Sequence, residues 1–277
     1  MLWRTKRLTL DLAERGEVMA VLNVTPDSFS DGGDFVDPRA AVRQGLRQAA
    51  AGAAILDVGG ESTRPGARPV GAGEEIDRVL PVIRGLREQW DGLVSIDTSK
   101  AEVAAAALAA GADIVNDVSG LLGDPAMMPL CRDAGCGVAV MHMQGEPRTM
   151  QKAPQYDDVV ADVAAFLGGR FEELVTAGMD PECLCFDPGI GFGKTLDHNL
   201  ALLRGIDGLA PAGRPLLIGV SRKSFIGQLL GDDAIELREW PTVGLTAFTR
   251  EAGARIHRVH SVRANLEAMR MVEAVRG

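Results

Sequence analysis

The chain has 277 residues, of which 46% are hydrophobic and 24% charged, with a formal net charge of −9 and a pI near 5.0. This composition is typical of a folded protein with a large apolar core and excludes a disordered chain. The negative charge argues against broad contact with nucleic acid, which needs a basic face. Because no apolar run resembles a signal sequence or reaches membrane-spanning length, we expect a cytoplasmic protein that contacts neither nucleic acid nor membrane.

Strand-like and helix-like stretches alternate eight times along the chain. The predicted strands are 18–23, 54–58, 93–97, 113–116, 138–143, 183–187, 216–220 and 255–260. The predicted helices are 40–51, 74–89, 101–110, 125–134, 157–177, 196–203, 243–252 and 263–275. This alternation predicts an α/β protein, and eight repeats favour a TIM (β/α)8 barrel in which residues 1–277 form a single domain. A doubly wound open sheet is the alternative.

Every predicted strand ends on a polar or glycine-rich turn, and each of these ends carries a polar residue. These residues are Asn23, Asp57, Asp97, Asn116, His142, Asp187, Lys223 and His260. Because the parallel strands of a barrel bring their carboxyl ends to one face, the side chains are expected to converge on a single concave site. An open sheet would instead concentrate its ligands at one switch point, so the even spread favours the barrel.

Two long turns near the N-terminus are rich in glycine and polar residues. The first, 23–33, begins with Asn23, whose amide oxygen could bind a hard cation. The second, 59–66, combines glycine backbone amides with the guanidinium of Arg64, which suits an anion such as phosphate. Long loops at this face of a barrel are usually functional, and the structural alternative is a rigid series of Asx and Ser/Thr turns.

The turn after the sixth strand, 187–195, resembles a phosphate-binding loop but does not match it, because Pro188 stands where the pattern requires glycine. What remains is the carboxylate of Asp187 before a flexible turn. Together with Asp97 and Asn116 it could bind the amidine-like edge of a pterin, which presents adjacent N–H donors and a carbonyl. A single buried aspartate would more often be a cap or part of a core ion pair.

Cations follow the last two predicted strands. Lys223 lies just after the seventh, and the spacing of two places Arg258 and His260 on one side of the eighth. TIM-type barrels often bind phosphate at these strands, so the cations predict a diphosphate site, with solvated rim residues as the alternative. The four cysteines lack zinc-ligand spacing and are predicted to be buried free thiols.

Eight blocks along the chain resemble those of dihydropteroate synthases. They are LNVTPDSFSDGG (22–33), DVGGESTRPG (57–66), SIDTSK (95–100), NDVSG (116–120), MHMQGEPRTMQ (141–151), DPGIGFGK (187–194), GVSRKSFIG (219–227) and RVH (258–260). The resemblance implies a TIM barrel, usually a homodimer, that uses Mg²⁺ in folate biosynthesis. It condenses (7,8-dihydropterin-6-yl)methyl diphosphate with 4-aminobenzoate, forming 7,8-dihydropteroate and releasing diphosphate.

The resemblance also implies a role for individual residues. Asp97, Asn116, Asp187 and Lys223 bind the pterin, with Met141 against its face; Thr63, Arg64, Arg258 and His260 hold the diphosphate; Phe29 and Pro65 lie on loops that close around 4-aminobenzoate; Asn23 contacts Mg²⁺. Asp97, Asp187 and Lys223 are the expected catalytic residues. The chain departs from the family in having Ser261 where an aspartate usually follows the last histidine.

Two other functions remain open at this point. One is a pterin-binding methyltransferase domain, which would not need the cations Arg64, Arg258 and His260. The other is a related protein that binds pterin without turnover. Release of diphosphate would distinguish the synthase from both.

Overall fold

The computed structural model describes residues 1–25, 37–62, 67–145 and 149–276. A short antiparallel hairpin, β1 (Leu2–Arg4) and β2 (Thr9–Asp11), precedes the main sheet. Eight parallel strands follow: β3 (Glu17–Asn23), β4 (Ile55–Gly59), β5 (Leu93–Asp97), β6 (Ile114–Asp117), β7 (Gly137–Met141), β8 (Leu184–Asp187), β9 (Leu217–Ile218) and β10 (Ile256–Val259).

The eight parallel strands form a barrel. Their order is β8-β7-β6-β5-β4-β3-β10-β9, and a parallel bridge between Phe186 and Leu216 joins the two outer strands. The backbone N–H of Phe186 also donates to the carbonyl of Pro215, at 3.0 Å. The predicted TIM barrel is therefore confirmed, and the open sheet is excluded.

Helices surround the strands. In the described residues they are α1 (Pro38–Ala50), α2 (Ala72–Arg87), α3 (Ala101–Ala110), α4 (Met127–Ala134), α5 (Val159–Thr176), α6 (Leu196–Arg204), α7 (Ser224–Leu230), α8 (Glu239–Glu251) and α9 (Val262–Arg276). Short 3-10 turns lie at Pro181–Cys183, Ile206–Gly208, Pro211–Gly213 and Glu236–Arg238. The eight predicted helices are present, with shifts of a few residues at their ends.

Helix α8 begins four residues earlier than predicted, at Glu239 rather than 243. Its buried face carries Thr242 and Thr246, both fully buried, whereas Trp240 is 78% exposed. The usual apolar-inside pattern is thus reversed at its start, which hid this turn from the sequence periodicity. Helix α7 was also missed, because seven residues are too few to establish a helical period.

Two apolar layers hold the barrel together. One fills the amino-terminal end of its interior with residues from the parallel strands, closed by Trp3 and Leu12 of the N-terminal segment. The other lies between the strands and the surrounding helices. The four cysteines are free and buried, as predicted. Among the described residues, no helix combines the length and apolarity needed to cross a membrane.

Candidate active site

The carboxyl end of the barrel brings the predicted strand-end residues together. The register of β3, β4, β5 and β6 places Asn23, Gly59, Asp97 and Asn116 side by side on successive strands. On the neighbouring pair, Met141 of β7 lies opposite Asp187 of β8. The barrel geometry therefore brings Asn23 and Asp187, which are 164 residues apart in the sequence, to the same end.

Two carboxylates share one guanidinium in the floor of this site. Arg258 donates from Nε to Oδ2 of Asp57 at 2.6 Å and from Nη2 to Oδ2 of Asp97 at 2.7 Å. The amide of Asn116 donates to the same oxygen of Asp57 at 3.1 Å. Burial, only partly offset by the charge of Arg258, raises the pKa of Asp97 to about 7. Burial acts to lower the pKa of Arg258, but the charges of the two carboxylates outweigh burial, and the pKa is raised.

A second acid and base lie beside this floor. Burial raises the pKa of Asp187, against the opposing charge of Lys223. Burial also lowers the pKa of Lys223 to about 8, although the charge of Asp187 favours its protonated form. The ammonium of Lys223 donates to the carbonyl of Ile190 and lies 4.2 Å from the centre of the Phe192 ring. The site thus presents acidic acceptors and a cationic donor together.

Comparison with known proteins identifies the family. A family model described as a pterin binding enzyme matches residues 19–260. The dihydropteroate synthase of Mycobacterium leprae is 48% identical over 265 residues, which cover 93% of this chain and 93% of that protein. The chain belongs to the dihydropteroate synthase family.

Solved structures of the dihydropteroate synthase family agree with this assignment. The Yersinia pestis enzyme in complex with a sulfonamide drug has a TM-score of 0.93 and 44% identity, covering 100% of this chain and 99% of that one. The Burkholderia cenocepacia enzyme complexed with 7,8-dihydropteroate has a TM-score of 0.90 and 42% identity, covering 99% and 96%. The likeness therefore extends over nearly the full length of both folds.

Several of the predicted site residues lie at the edge of the floor or outside the described part. The Nδ1 atom of His260 is 2.8 Å from the hydroxyl of Ser221, which also accepts from the backbone N–H of His260 at 3.2 Å. Met141 is buried, with 4% of its surface exposed. Phe29, Thr63, Arg64 and Pro65 lie outside the described residues, so their roles stay predictions.

Asp57 was recognised from the sequence as a strand end but was not assigned a role. In the structure it is fully buried, and it accepts from both Arg258 and Asn116. Its other carboxylate oxygen, Oδ1, has no hydrogen-bond partner among the described residues. The signal available in the sequence was its position, because it ends a strand just as Asp97 and Asp187 do.

Lys100 is a second residue that the sequence reasoning missed. Its ammonium forms ion pairs with Glu61 and the fully buried Glu75, both at 2.5 Å. The other oxygen of Glu61 accepts from the backbone N–H of Val70 at 2.9 Å. Lys100 therefore ties the turn after β5 to the turn after β4. The available signal was its place in the block that contains Asp97.

Proposed function

We propose that this protein condenses (7,8-dihydropterin-6-yl)methyl diphosphate with 4-aminobenzoate to form 7,8-dihydropteroate and diphosphate. The observation that carries this proposal is the convergence of Asp97, Asn116, Asp187 and Lys223 at the carboxyl end of the barrel. Membership of the dihydropteroate synthase family supports it, as does the likeness to the enzyme complexed with 7,8-dihydropteroate.

The chemistry of a pterin matches these four side chains. One edge of the heterocycle presents adjacent N–H groups, which donate to carboxylates such as Asp97 and Asp187. Asn116 both donates and accepts, and Lys223 donates to a ring carbonyl or nitrogen. Met141 supplies an apolar surface for the ring face. Buried hydrogen-bonding groups of this kind discriminate strongly against ligands that leave them unpaired.

The proposed reaction begins with departure of the diphosphate, which takes the electron pair of the breaking C–O bond. The positive charge left on the methylene carbon is delocalised into the pterin ring, where Asp97 and Asp187 stabilise it electrostatically. The aniline nitrogen of 4-aminobenzoate then forms the new C–N bond and releases a proton to solvent. We place Arg64, Thr63 and His260 around the diphosphate. Arg258, which pairs with Asp57 and Asp97, can act on the same charge from the floor.

We further propose that Asn23 holds Mg²⁺. Magnesium is usually bound through one or two protein oxygens together with substrate phosphates. Oδ1 of Asn23 and Oδ2 of Asp97 both lie near Gly59, because a Cβ atom added to that glycine would be 3.8 Å from the first and 3.7 Å from the second. The amide oxygen of Asn23 is therefore beside the acidic end of the site, where it fits the need of Mg²⁺ for a protein oxygen. When bound, the ion would neutralise charge on the leaving diphosphate. In the described residues, no group of three or more His, Cys, Asp or Glu could form a metal site by itself.

The decisive experiment measures diphosphate release and 7,8-dihydropteroate formation with the pterin diphosphate and Mg²⁺, in the presence and absence of 4-aminobenzoate. Formation of both products by the wild type, and loss of both in Asp187→Asn, is the expected result. A sulfonamide drug that carries a 4-aminobenzene ring should compete with 4-aminobenzoate, since both compounds are then para-substituted anilines. Tight pterin binding without product would overturn the proposal in favour of a binding protein without turnover.

We propose that the protein acts as a homodimer, with α8 and α9 at the interface. Exposed apolar side chains follow helical spacing on both helices: Trp240 and Phe248 are 78% and 51% exposed, and Met271 and Val275 are 64% and 89% exposed. Such stripes are typical of interaction surfaces. Trp240→Glu is expected to give monomers in sedimentation analysis, whereas Leu122→Glu, at an exposed leucine elsewhere, should leave the dimer intact.

We also propose that residues 1–277 work as one domain in the cytoplasm. The packing of Trp3 and Leu12 against barrel strands supports the single domain, because the N-terminal segment completes the interior layer. The four free cysteines support a reducing compartment, where thiols persist.

A further inference from the structure

A buried lysine and a buried histidine form a hydrogen-bonded pair beside the proposed pterin site. Lys194 is 3% exposed and His142 is 7% exposed. The Nζ atom of Lys194 lies 3.0 Å from Nδ1 of His142 and donates to the carbonyl of Phe192 at 2.9 Å. Neither side chain has a role in the reaction proposed above.

The surroundings of this pair define its protonation. Burial lowers the pKa of His142 to about 3, so its imidazole is neutral near pH 7. Burial also lowers the pKa of Lys194 to about 7. With the imidazole neutral, we assign the Lys194 N–H as the donor to Nδ1 of His142, which places the ring proton on Nε2. The ring is fixed by an edge-on contact with Phe166, at 4.8 Å between ring centres. The acceptor offered to Lys194 is therefore rigid.

The pair acts on the glycine-rich turn that follows β8. Gly189 and Gly193 have positive φ values of 67° and 63°, and a Cβ atom on either would collide with the carbonyl of His142 or Gln144, respectively. The turn is therefore pressed against the residues after β7. Within it, the backbone N–H of Phe192 donates to the carbonyl of Gly189 at 3.0 Å.

The opposite side of the same turn contacts Lys223. Lys223 donates to the carbonyl of Ile190, and its ammonium lies over the ring of Phe192 at 4.2 Å. Phe192 is thus held through its carbonyl by Lys194 and contacts Lys223 through its ring. A shift of Phe192 would move the ring that lies beneath the Lys223 ammonium. It would also disturb the carbonyl of Ile190, which accepts from Lys223 two residues earlier in the same turn.

We propose that Lys194 and His142 are positioning residues that act through Phe192 on Lys223. By fixing the turn, they hold the Lys223 ammonium where it meets the pterin. The inference rests on the proposed function only in naming a pterin as the ligand of Lys223. It predicts that the effect of Lys194 on pterin affinity depends on the presence of Lys223.

The test is a double-mutant cycle on the affinity for a pterin without diphosphate. Lys194→Met is expected to weaken binding about fivefold to tenfold in the wild-type background, but less than about twofold in Lys223→Ala, as for residues that act through one another. The KM for 4-aminobenzoate should stay unchanged. Equal loss in both backgrounds would mean that Lys194 acts independently, and would overturn the inference.

Substitutions at His142 provide a second measurement that does not depend on the stability of Lys194→Met. His142→Asn keeps an acceptor near the position of Nδ1 and should bind pterin within about twofold of the wild type, whereas His142→Leu should match the loss in Lys194→Met. Equal losses in the two variants would contradict the proposal. Lys152→Met, at an exposed lysine, is the matched control and should bind normally. Failure of the wild type itself to bind pterin would instead contradict the proposed function.

Discussion

At the scale of single residues, the site is defined by charges that are held out of water. Asp57 and Asp97 share the guanidinium of Arg258, so above about pH 7, where Asp97 is ionised, these three side chains carry a net negative charge even with their ion pairs formed. Such a floor favours a ligand that becomes positively charged during the reaction. Because burial disfavours ionisation, the same arrangement moves the pKa values of Asp97 and Lys223 towards each other, to about 7 and about 8.

Pterin affinity is therefore expected to depend on pH as a bell-shaped curve. Below about pH 7 Asp97 becomes protonated, loses its charge and becomes a weaker acceptor for pterin N–H groups. Above about pH 8 Lys223 loses one proton and its charge, which makes it a weaker donor. Titration of the dissociation constant for a pterin without diphosphate would measure both limbs. Asp97→Asn should remove most of the acid limb and Lys223→Ala the basic limb. A flat profile in the wild type would contradict this assignment.

At the scale of elements, the N-terminal hairpin closes the end of the barrel opposite the site. Trp3 is fully buried among the interior residues of the strands, and its indole N–H donates to the carbonyl of Cys183 at 2.9 Å. Without the hairpin, the apolar layer at the amino-terminal end of the barrel interior would be open to water. The hairpin therefore contributes to stability without contacting the residues proposed to bind substrate.

Trp3→Ala is expected to lower the free energy of unfolding by about 3 to 5 kcal/mol, because it removes a large buried side chain and leaves a cavity. Chemical denaturation would measure this loss. Pterin affinity below the unfolding transition should stay unchanged, since the hairpin lies at the other end of the barrel. The control is Leu8→Ala in the same segment, where the side chain is 44% exposed and little effect is expected. Similar losses in both variants would contradict the closing role of Trp3.

At the scale of the whole molecule, the last helices join the barrel through a buried polar layer. His257 of β10 is fully buried, with Nε2 2.9 Å from the hydroxyl of Thr249 on α8. Burial, together with the charge of Arg250, lowers the pKa of His257 to about 3. The folded state thus excludes a proton that the unfolded chain binds below its ordinary pKa of 6.5.

This difference predicts acid sensitivity of the entire fold. The contribution of His257 is fully present above about pH 6.5 and is lost as the pH falls from there towards 3, at about 1.4 kcal/mol per pH unit. Denaturation of the wild type and His257→Gln at several pH values would measure it. Between pH 6.5 and 4.5 the free energy of unfolding of the variant should fall less steeply than that of the wild type. The difference in slope should correspond to the uptake of about one proton on unfolding. Parallel declines would contradict the proposal.

The barrel, its helices other than α7, the strand-end residues Asp97, Asn116 and Asp187, and Lys223 shortly after a strand could be predicted from the sequence. Each depends on local order: an apolar run of strand length, a following helical period and a polar residue where the strand ends. The start of α8 could not, because Thr242 and Thr246 are buried by partners on other elements. The three-residue strands of the hairpin were likewise too short to show a period.

The fold class and the set of residues near the carboxyl ends of the strands follow from short-range patterns along the chain, so both could be predicted before the structure. Which of those residues interact depends on how the strands assemble. The sharing of Arg258 between Asp57 and Asp97, the ion pairs of Lys100, and the contact of Lys194 with His142 all join distant segments. Such contacts depend on the register and closure of the barrel, which bring side chains together regardless of their separation in the sequence.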